Sequence, residues 1–176
     1  MPDQTHEMPA ELSACAEAGK LAPQHALFEQ FVGEWDSTVT ISFGEGQTHT
    51  SNGTMSNELD LGGRFLKQTY SDSDDHFHGR GFWGYNTIDN RWEGLWIDDM
   101  GTFFQLDHGQ HDPATNSWEM KGQMTDPGTG SPMNKRTVIT ITGPDSHTMD
   151  TYFTPTVGEH AGKESKCMEI KYTRKA

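Results

Sequence analysis

Positive charge is scarce in this chain. Its 176 residues include 13 lysines and arginines against 26 aspartates and glutamates, a formal net charge of −13. Nucleic acid and anionic membranes are bound mainly through Lys and Arg, so a polyanion meets both with repulsion. Neither is expected as a partner. Cysteine is nearly absent. Cys15 and Cys167 stand far apart without CxxC spacing, which predicts two free thiols in a reducing compartment and no disulfide framework. No apolar run approaches the ~18 residues of a membrane-spanning helix. The N-terminal MPDQTHE lacks the positive and apolar regions of a signal peptide, and the cytoplasm is the expected location. Also missing are a Gly-x-Ser-x-Gly elbow, a His-Glu-x-x-His pair and a Walker-type phosphate loop. The enzyme classes built on those motifs therefore find no support. No resident cofactor or metal is expected, and nothing in the sequence indicates an oligomeric state.

What the chain does have is aromatic runs punctuated by turns. The stretch Gly79 to Leu106 reads GRGFWGYNTIDNRWEGLWIDDMGTFFQL. Its aromatic segments are separated by Asn, Asp and Gly clusters, the signature of consecutive hairpins. This stretch is the centre of a β-meander. Glycine is abundant at 19, and many glycines fall inside strand patterns, where they mark bends or close packing. Gly79-Arg80-Gly81 is read in that way and not as a phosphate loop.

The rest of the chain extends the pattern in both directions. Residues 1–8 are polar and read as frayed. Pro9 to Gly19 reads as a short surface helix with proline in its first turn and glycine at its end. Pro23 to Val32 reads as a second helix, with Leu27, Phe28, Phe31 and Val32 on one face. Trp35, Ser37, Val39, Ile41 and Phe43 then alternate with polar residues, a strand with one buried face. Further strands follow at His49–Leu59, Arg64–Ser71, His76–Tyr85, Arg91–Asp98 and Thr102–His108. Others are expected at 118–124, Asn134–Thr142, His147–Phe153 and Lys163–Arg174. About ten short strands with hairpin connections predict an all-β, antiparallel up-and-down barrel preceded by one or two short helices. The expected division is an N-terminal extension over 1–22 and a barrel domain over 23–176. A barrel of about ten strands is wide enough to hold a cavity.

Gly33-Glu34-Trp35 resembles the Gly-x-Trp signature that opens the first strand of lipocalins and other calycins. In those barrels a short helix precedes the signature, and an Arg of the last strand packs over the Trp. Arg174 stands in that place. The segments HALFEQFVGEW, LGGRFLKQTYSD, GYNTIDNRWEGLWIDDMGT, HTMDTYF and GKESKCMEIKYTRK resemble the bacterial DUF1579 family, a calycin-like group of uncharacterised function, over about residues 25 to 175. The resemblance implies a barrel and, by analogy, a small-molecule site. It implies no reaction. Asp36 follows the Trp where lipocalins usually have an aromatic, so specific lipocalin ligands do not carry over.

Candidate site residues follow from polar groups on otherwise apolar faces. Trp92, Gly94, Trp96 and Asp98 share a face; Arg136 shares one with Val138 and Thr140; Lys166 shares one with Met168, Ile170 and Tyr172. A charge turned into a barrel must be paired, hydrated or used on a ligand. The expected site has Trp83, Trp96, Phe104, Met120 and Met168 as walls, with Asp98, Arg136 and Tyr152 orienting a polar end. Its ligand is a small apolar or amphipathic molecule. A second reading is a small lyase or isomerase, with Arg136 stabilising an anion and Asp98 or Tyr152 moving a proton. A third is haem or metal binding through His76 or His78, which period two places on one strand face. Asp98 and Asp99 are adjacent, so they point to opposite faces and form no dyad. One of them is expected to cap the turn into Gly101.

Overall fold

In the computed structural model, which describes residues 10–44 and 46–176, ten antiparallel strands close into one barrel. The strands are β1 (Gly33–Ser42), β2 (Thr48–Asp60), β3 (Phe65–Asp72), β4 (His78–Asn86), β5 (Arg91–Asp98), β6 (Gln105–Asp112), β7 (Ser117–Thr125), β8 (Pro132–Gly143), β9 (Ser146–Pro155) and β10 (Ser165–Arg174). Each pairs with its sequence neighbours, and β1 pairs with β10 to close the ring. This is the up-and-down barrel that the hairpin spacing predicts. An α-helix, α1 (Ala10–Ala18), precedes it. The second helical segment, Pro23–Gln30, is a 3-10 helix. No described helix is long and apolar enough to cross a membrane. Cys15 and Cys167 are free thiols. The polar segment 1–8 and Pro9 lie outside the described residues.

The helical segment closes one end of the barrel. Phe28 and Phe31 insert between Trp83, Trp92 and Trp118, whose rings pack at centroid separations of 5.2–6.1 Å. Phe28, Trp92 and Trp118 are fully buried. Leu27, Val32 and Tyr85 pack against them. Edge-to-face aromatic pairs add about 0.5–1.5 kcal/mol each beyond area burial.

The strand closure sits at the same end. Trp35 is directly opposite Arg174 in the β1–β10 register, and the guanidinium lies 4.1 Å from the indole centroid. Arg174 also donates to the carbonyl of Gln30 at 3.1 Å and to that of Val32, tying β10 to the helical turn. Trp35 Nε1 donates to the Phe31 carbonyl at 2.7 Å. Gly33 has φ +118°, and a β-carbon there would stand 2.8 Å from the Arg174 guanidinium. The first position of the Gly-x-Trp motif is therefore needed both for backbone conformation and for room.

Three elements depart from the sequence reading. β4 starts at His78, so His76 lies in the preceding turn. β6 starts at Gln105, and residues 102–104 belong to the loop before it. In β10 the register shifts between Lys166 and Met168. That bulge carries Lys166 to the outer wall, where it pairs with Asp150 and Glu169, while Met168 stays inside.

Candidate functional site

Inward-facing side chains change along the barrel axis. At the helix end Trp35, Trp92 and Trp118 are 0–1% exposed. Farther along the barrel axis, Ile41, Gly94, Trp96, Asp107, Met149 and Met168 also face inward but are only half-buried. Beside a second buried cluster that includes Val39, Met55, Tyr70 and Ile170, solvent therefore reaches part of the half of the lumen farthest from the helices. Trp83 and Met120, both buried, form its floor.

Glycines shape the walls of that half. Gly94 stands between Trp83 and Asp107 in register. A β-carbon on Gly94 would meet nothing nearer than Met120 Cε at 3.8 Å, Trp83 Cδ1 at 3.9 Å and Asp107 Cβ at 4.0 Å. On β4, Gly79 and Gly81 serve differently. β-carbons there would stand 2.0 Å and 2.9 Å from the Trp96 ring, so the indole is drawn against the wall because those two residues have no side chains. The Gly79-Arg80-Gly81 stretch is thus a packing feature, as its place in a strand pattern suggests.

A polar chain crosses the same half. Trp96 Nε1 donates to Asp98 Oδ2 at 3.0 Å, and Gln105 Nε2 donates to the same oxygen at 3.3 Å. Lys135 Nζ donates to Gln105 Oε1 at 3.3 Å and to Asp107 Oδ2 at 2.8 Å. The Lys135 and Asp107 side chains are 12% and 16% exposed. Gly122 lies between them in register, and a β-carbon there would stand 2.2 Å from Asp107 Oδ1. Only glycine lets the ion pair span β7. Asp107 Oδ1 is itself buried and receives no hydrogen bond.

A family model described as "Protein of unknown function (DUF1579)" matches residues 20–174. The chain belongs to the DUF1579 family. No curated protein matches it. Among solved structures, it is similar to the S-type phycobiliprotein lyase CPES from Guillardia theta, at 12% identity and TM-score 0.52, over 92% of this chain and 97% of that one. It is also similar to EF1p2_mFAP2b bound to DFHBI, at 14% identity and TM-score 0.40, over 86% and 98%. At such identities the likeness to the lyase establishes a shared fold and nothing about chemistry.

In this DUF1579 barrel the residues singled out from sequence divide into three groups. Trp96, Asp98 and Met168 face the open half of the lumen, and Trp83 and Met120 form its floor. Phe104 does not line it: the residue lies on the loop before β6 and is 69% exposed. Arg136 and Tyr152 are on the outer wall. Arg136 stacks on Tyr152 at 4.1 Å and pairs with Glu164 and Glu119. Hydrogen bonding to Glu164 holds the Arg136 pKa above its ordinary value. Arg136 borders a shallow outer groove of about 550 Å³ that also includes Leu106, His108 and Lys121. A second shallow outer groove, of about 460 Å³, runs over Asp36, Asn52 and Lys171.

Lys135, Asp107, Gln105 and Gly94 also face the lumen, and the sequence reading did not select them. On β8, Ile139 and Ile141 have the parity of Lys135, whereas Arg136 shares its parity with Val138 alone among aliphatic residues. That imbalance was the available signal. On β9, Asp150 shares the face of Tyr152 and points to solvent-side pairing with Lys166.

The histidines form no shared ligand set. Both ring nitrogens of His78 are engaged, Nδ1 with Asp99 at 3.0 Å and Nε2 with Asp75 at 2.8 Å. The Asp75 and Asp99 hydrogen bonds raise its pKa. Among the described residues no group of three or more His, Cys, Asp or Glu side chains is spaced to hold a metal ion. Asp98 caps the β5–β6 turn by accepting the Met100 N–H at 3.1 Å, and Asp99 points away to His78. The two carboxylates thus have the separate roles that their adjacency requires.

Proposed function

We propose that this protein is a small-molecule-binding barrel whose ligand, apolar or amphipathic, occupies the open half of the lumen. The observation that carries the reading is Gly94. It faces inward at mid-barrel, yet it is half-buried, and a β-carbon there would make only ordinary van der Waals contacts at 3.8–4.0 Å with Met120, Trp83 and Asp107. On the same inner face the Trp96 indole, Met149 and Met168 are partly exposed and pack against the buried cluster of Trp35, Val39, Met55, Tyr70, Ile170 and Tyr172. Thioethers are flexible and polarizable, which suits a wall that adapts to ligand shape. Asp98, Gln105 and the Lys135–Asp107 pair supply the few convergent polar groups that orient a bound molecule.

The polar chain favours one further reading, a lyase or isomerase. A half-buried lysine, two carboxylates and an indole N–H meet where a substrate would lie, which is the composition of an acid–base site. Arg136 and Tyr152 take no part in that version, since they stand outside the barrel.

Titration with Nile red, a neutral apolar dye, tests the proposal. The dye is expected to bind saturably and to quench tryptophan emission. Gly94→Leu fills the space above the floor and should weaken binding by about tenfold or more, with the near-ultraviolet circular dichroism retained. Absence of dye binding, or undiminished binding to a folded Gly94→Leu protein, contradicts the proposal.

A further inference from the structure

We infer that the ligand of this lumen is a cation: an apolar or aromatic body ending in a protonated amine or quaternary ammonium. The inference rests on the lumen reading and adds the charge of the ligand to it.

The argument begins with the ionisable groups inside. Asp72, Asp98, Asp107 and Lys135 face the open half. Lys135 is committed: its ammonium contacts Asp107 at 2.8 Å and Gln105 at 3.3 Å. Those two charges cancel. Asp72 and Asp98 remain, and the hydrogen bonds of Asp98 come from neutral groups, the Trp96 indole, the Gln105 amide and the Met100 N–H. No lysine or arginine among the described residues forms an ion pair with it. The lumen therefore carries uncompensated negative charge: Asp72, which accepts the N–H groups of His76 and Phe77, and Asp98 beside an aromatic ring. One side of that ring is taken by Gly79 and Gly81, which leaves the other for the lumen. A carboxylate next to an indole face is a composition that attracts a cation through both Coulomb and cation–π terms. A buried acceptor without a donor, Asp107 Oδ1, adds to the same polarity.

A carboxylate ligand meets the opposite situation. It would have to draw Lys135 away from Asp107 and leave that aspartate unpaired, and it would lie near Asp98. Like charges brought together at low exposure are strongly unfavourable. The approach to the lumen has the same sign. Asp74, Asp75, Asp99, Asp126 and Glu159 lie on the loops at the open end, and Lys163 is the one lysine or arginine on the described parts of those loops. A predominantly negative rim raises the local concentration of cations and speeds their entry.

The test uses three probes that share an alkyl chain: decanol, decyltrimethylammonium and decanoate, each below its micelle concentration. Calorimetric titration of the full-length protein is expected to show one-to-one binding. The ammonium probe should bind about tenfold or more tighter than the carboxylate. Asp98→Asn keeps the capping oxygen and removes the charge, so it should narrow that ratio. Decanoate binding as tightly as the ammonium, with decanol also bound, overturns the cation assignment and leaves the lumen site standing. A preference that survives Asp98→Asn at full size moves the cation to the rim and overturns the assignment too. Failure of decanol to bind removes the lumen site itself, and the cation assignment with it.

Discussion

The indole of Trp96 lies so close to Gly79 that a β-carbon on that glycine would stand 2.0 Å from its ring. The contact explains how a tryptophan can face the lumen without filling it. Gly79→Ala should push the ring inward. The cost expected for such overpacking is about 1–3 kcal/mol, measurable by urea denaturation, and affinity for Nile red should fall in parallel. An alanine variant with unchanged stability and affinity would show that the indole has room to move aside.

At the other end, the guanidinium of Arg174 covers Trp35. Trp35→Ala empties a fully buried site and should cost about 3–5 kcal/mol. Arg174→Ala removes a cation–π contact worth about 0.5–2 kcal/mol, together with hydrogen bonds to the helical turn, and should cost less than Trp35→Ala. Probe binding should persist in Arg174→Ala, because the lumen opens at the far end. Loss of binding with the fold intact would place the site at the helix end instead.

His147 makes stability depend on pH. Its ring is buried against Tyr172 at 4.3 Å and Trp35 at 4.4 Å. Burial, helped by the charge of Arg174, lowers its pKa from 6.5 to about 3. In acid the unfolded chain takes the proton first. The stability contributed by neutral His147 is therefore full above pH 6.5 and declines as pH falls toward about 3. The slope approaches about 1.4 kcal/mol per pH unit. His78 has the opposite sign: its raised pKa stabilises below 6.5 and the effect is lost as pH rises. Denaturation of wild type and His147→Phe between about pH 5 and 6.5 isolates the buried ring from carboxylate titration. The wild type should lose stability on acidification, and the variant should lose much less.

The Lys135–Asp107 pair gives a prediction with two arms. Asp107→Leu or Lys135→Met alone leaves a half-buried charge unpaired and should cost about 3–5 kcal/mol. The double variant replaces the pair with apolar surface and should recover most of that loss. A double-mutant cycle by thermal or urea denaturation reads the coupling directly. Additive losses would mean that the two charges do not act as a pair.

Much of this barrel was legible in the sequence because strand periodicity and turn chemistry are local. The alternation in β1 and the glycine–asparagine–aspartate punctuation follow from spacing along the chain, and the closing pair Trp35–Arg174 from the resemblance to calycins. The face of a strand is harder to read when both parities carry β-branched residues and differ only by a small aliphatic excess. β8 is of that kind, and the sequence reading therefore turned Arg136 inward where the molecule turns Lys135. The β10 bulge is a second case. One extra residue, Cys167, sends Lys166 to the outside, and no composition signal marks it. Phe104 missed the lumen because the tight turn after Asp98 delays the next strand until Gln105. Trp96 and Asp98 were legible, since β5 carries its large aromatics on a single parity.

The central claim is that the open half of the lumen binds a ligand while the aromatic floor does not. The indole N–H resonances of the five tryptophans report on both regions in one ¹⁵N-correlated NMR spectrum, with Trp96→Phe assigning the key signal. On titration with decyltrimethylammonium, the Trp96 resonance should shift saturably at one equivalent. The resonances of Trp35, Trp92 and Trp118 should stay in place. A Trp96 signal that does not move, or a response confined to the helix-end tryptophans, would contradict the account.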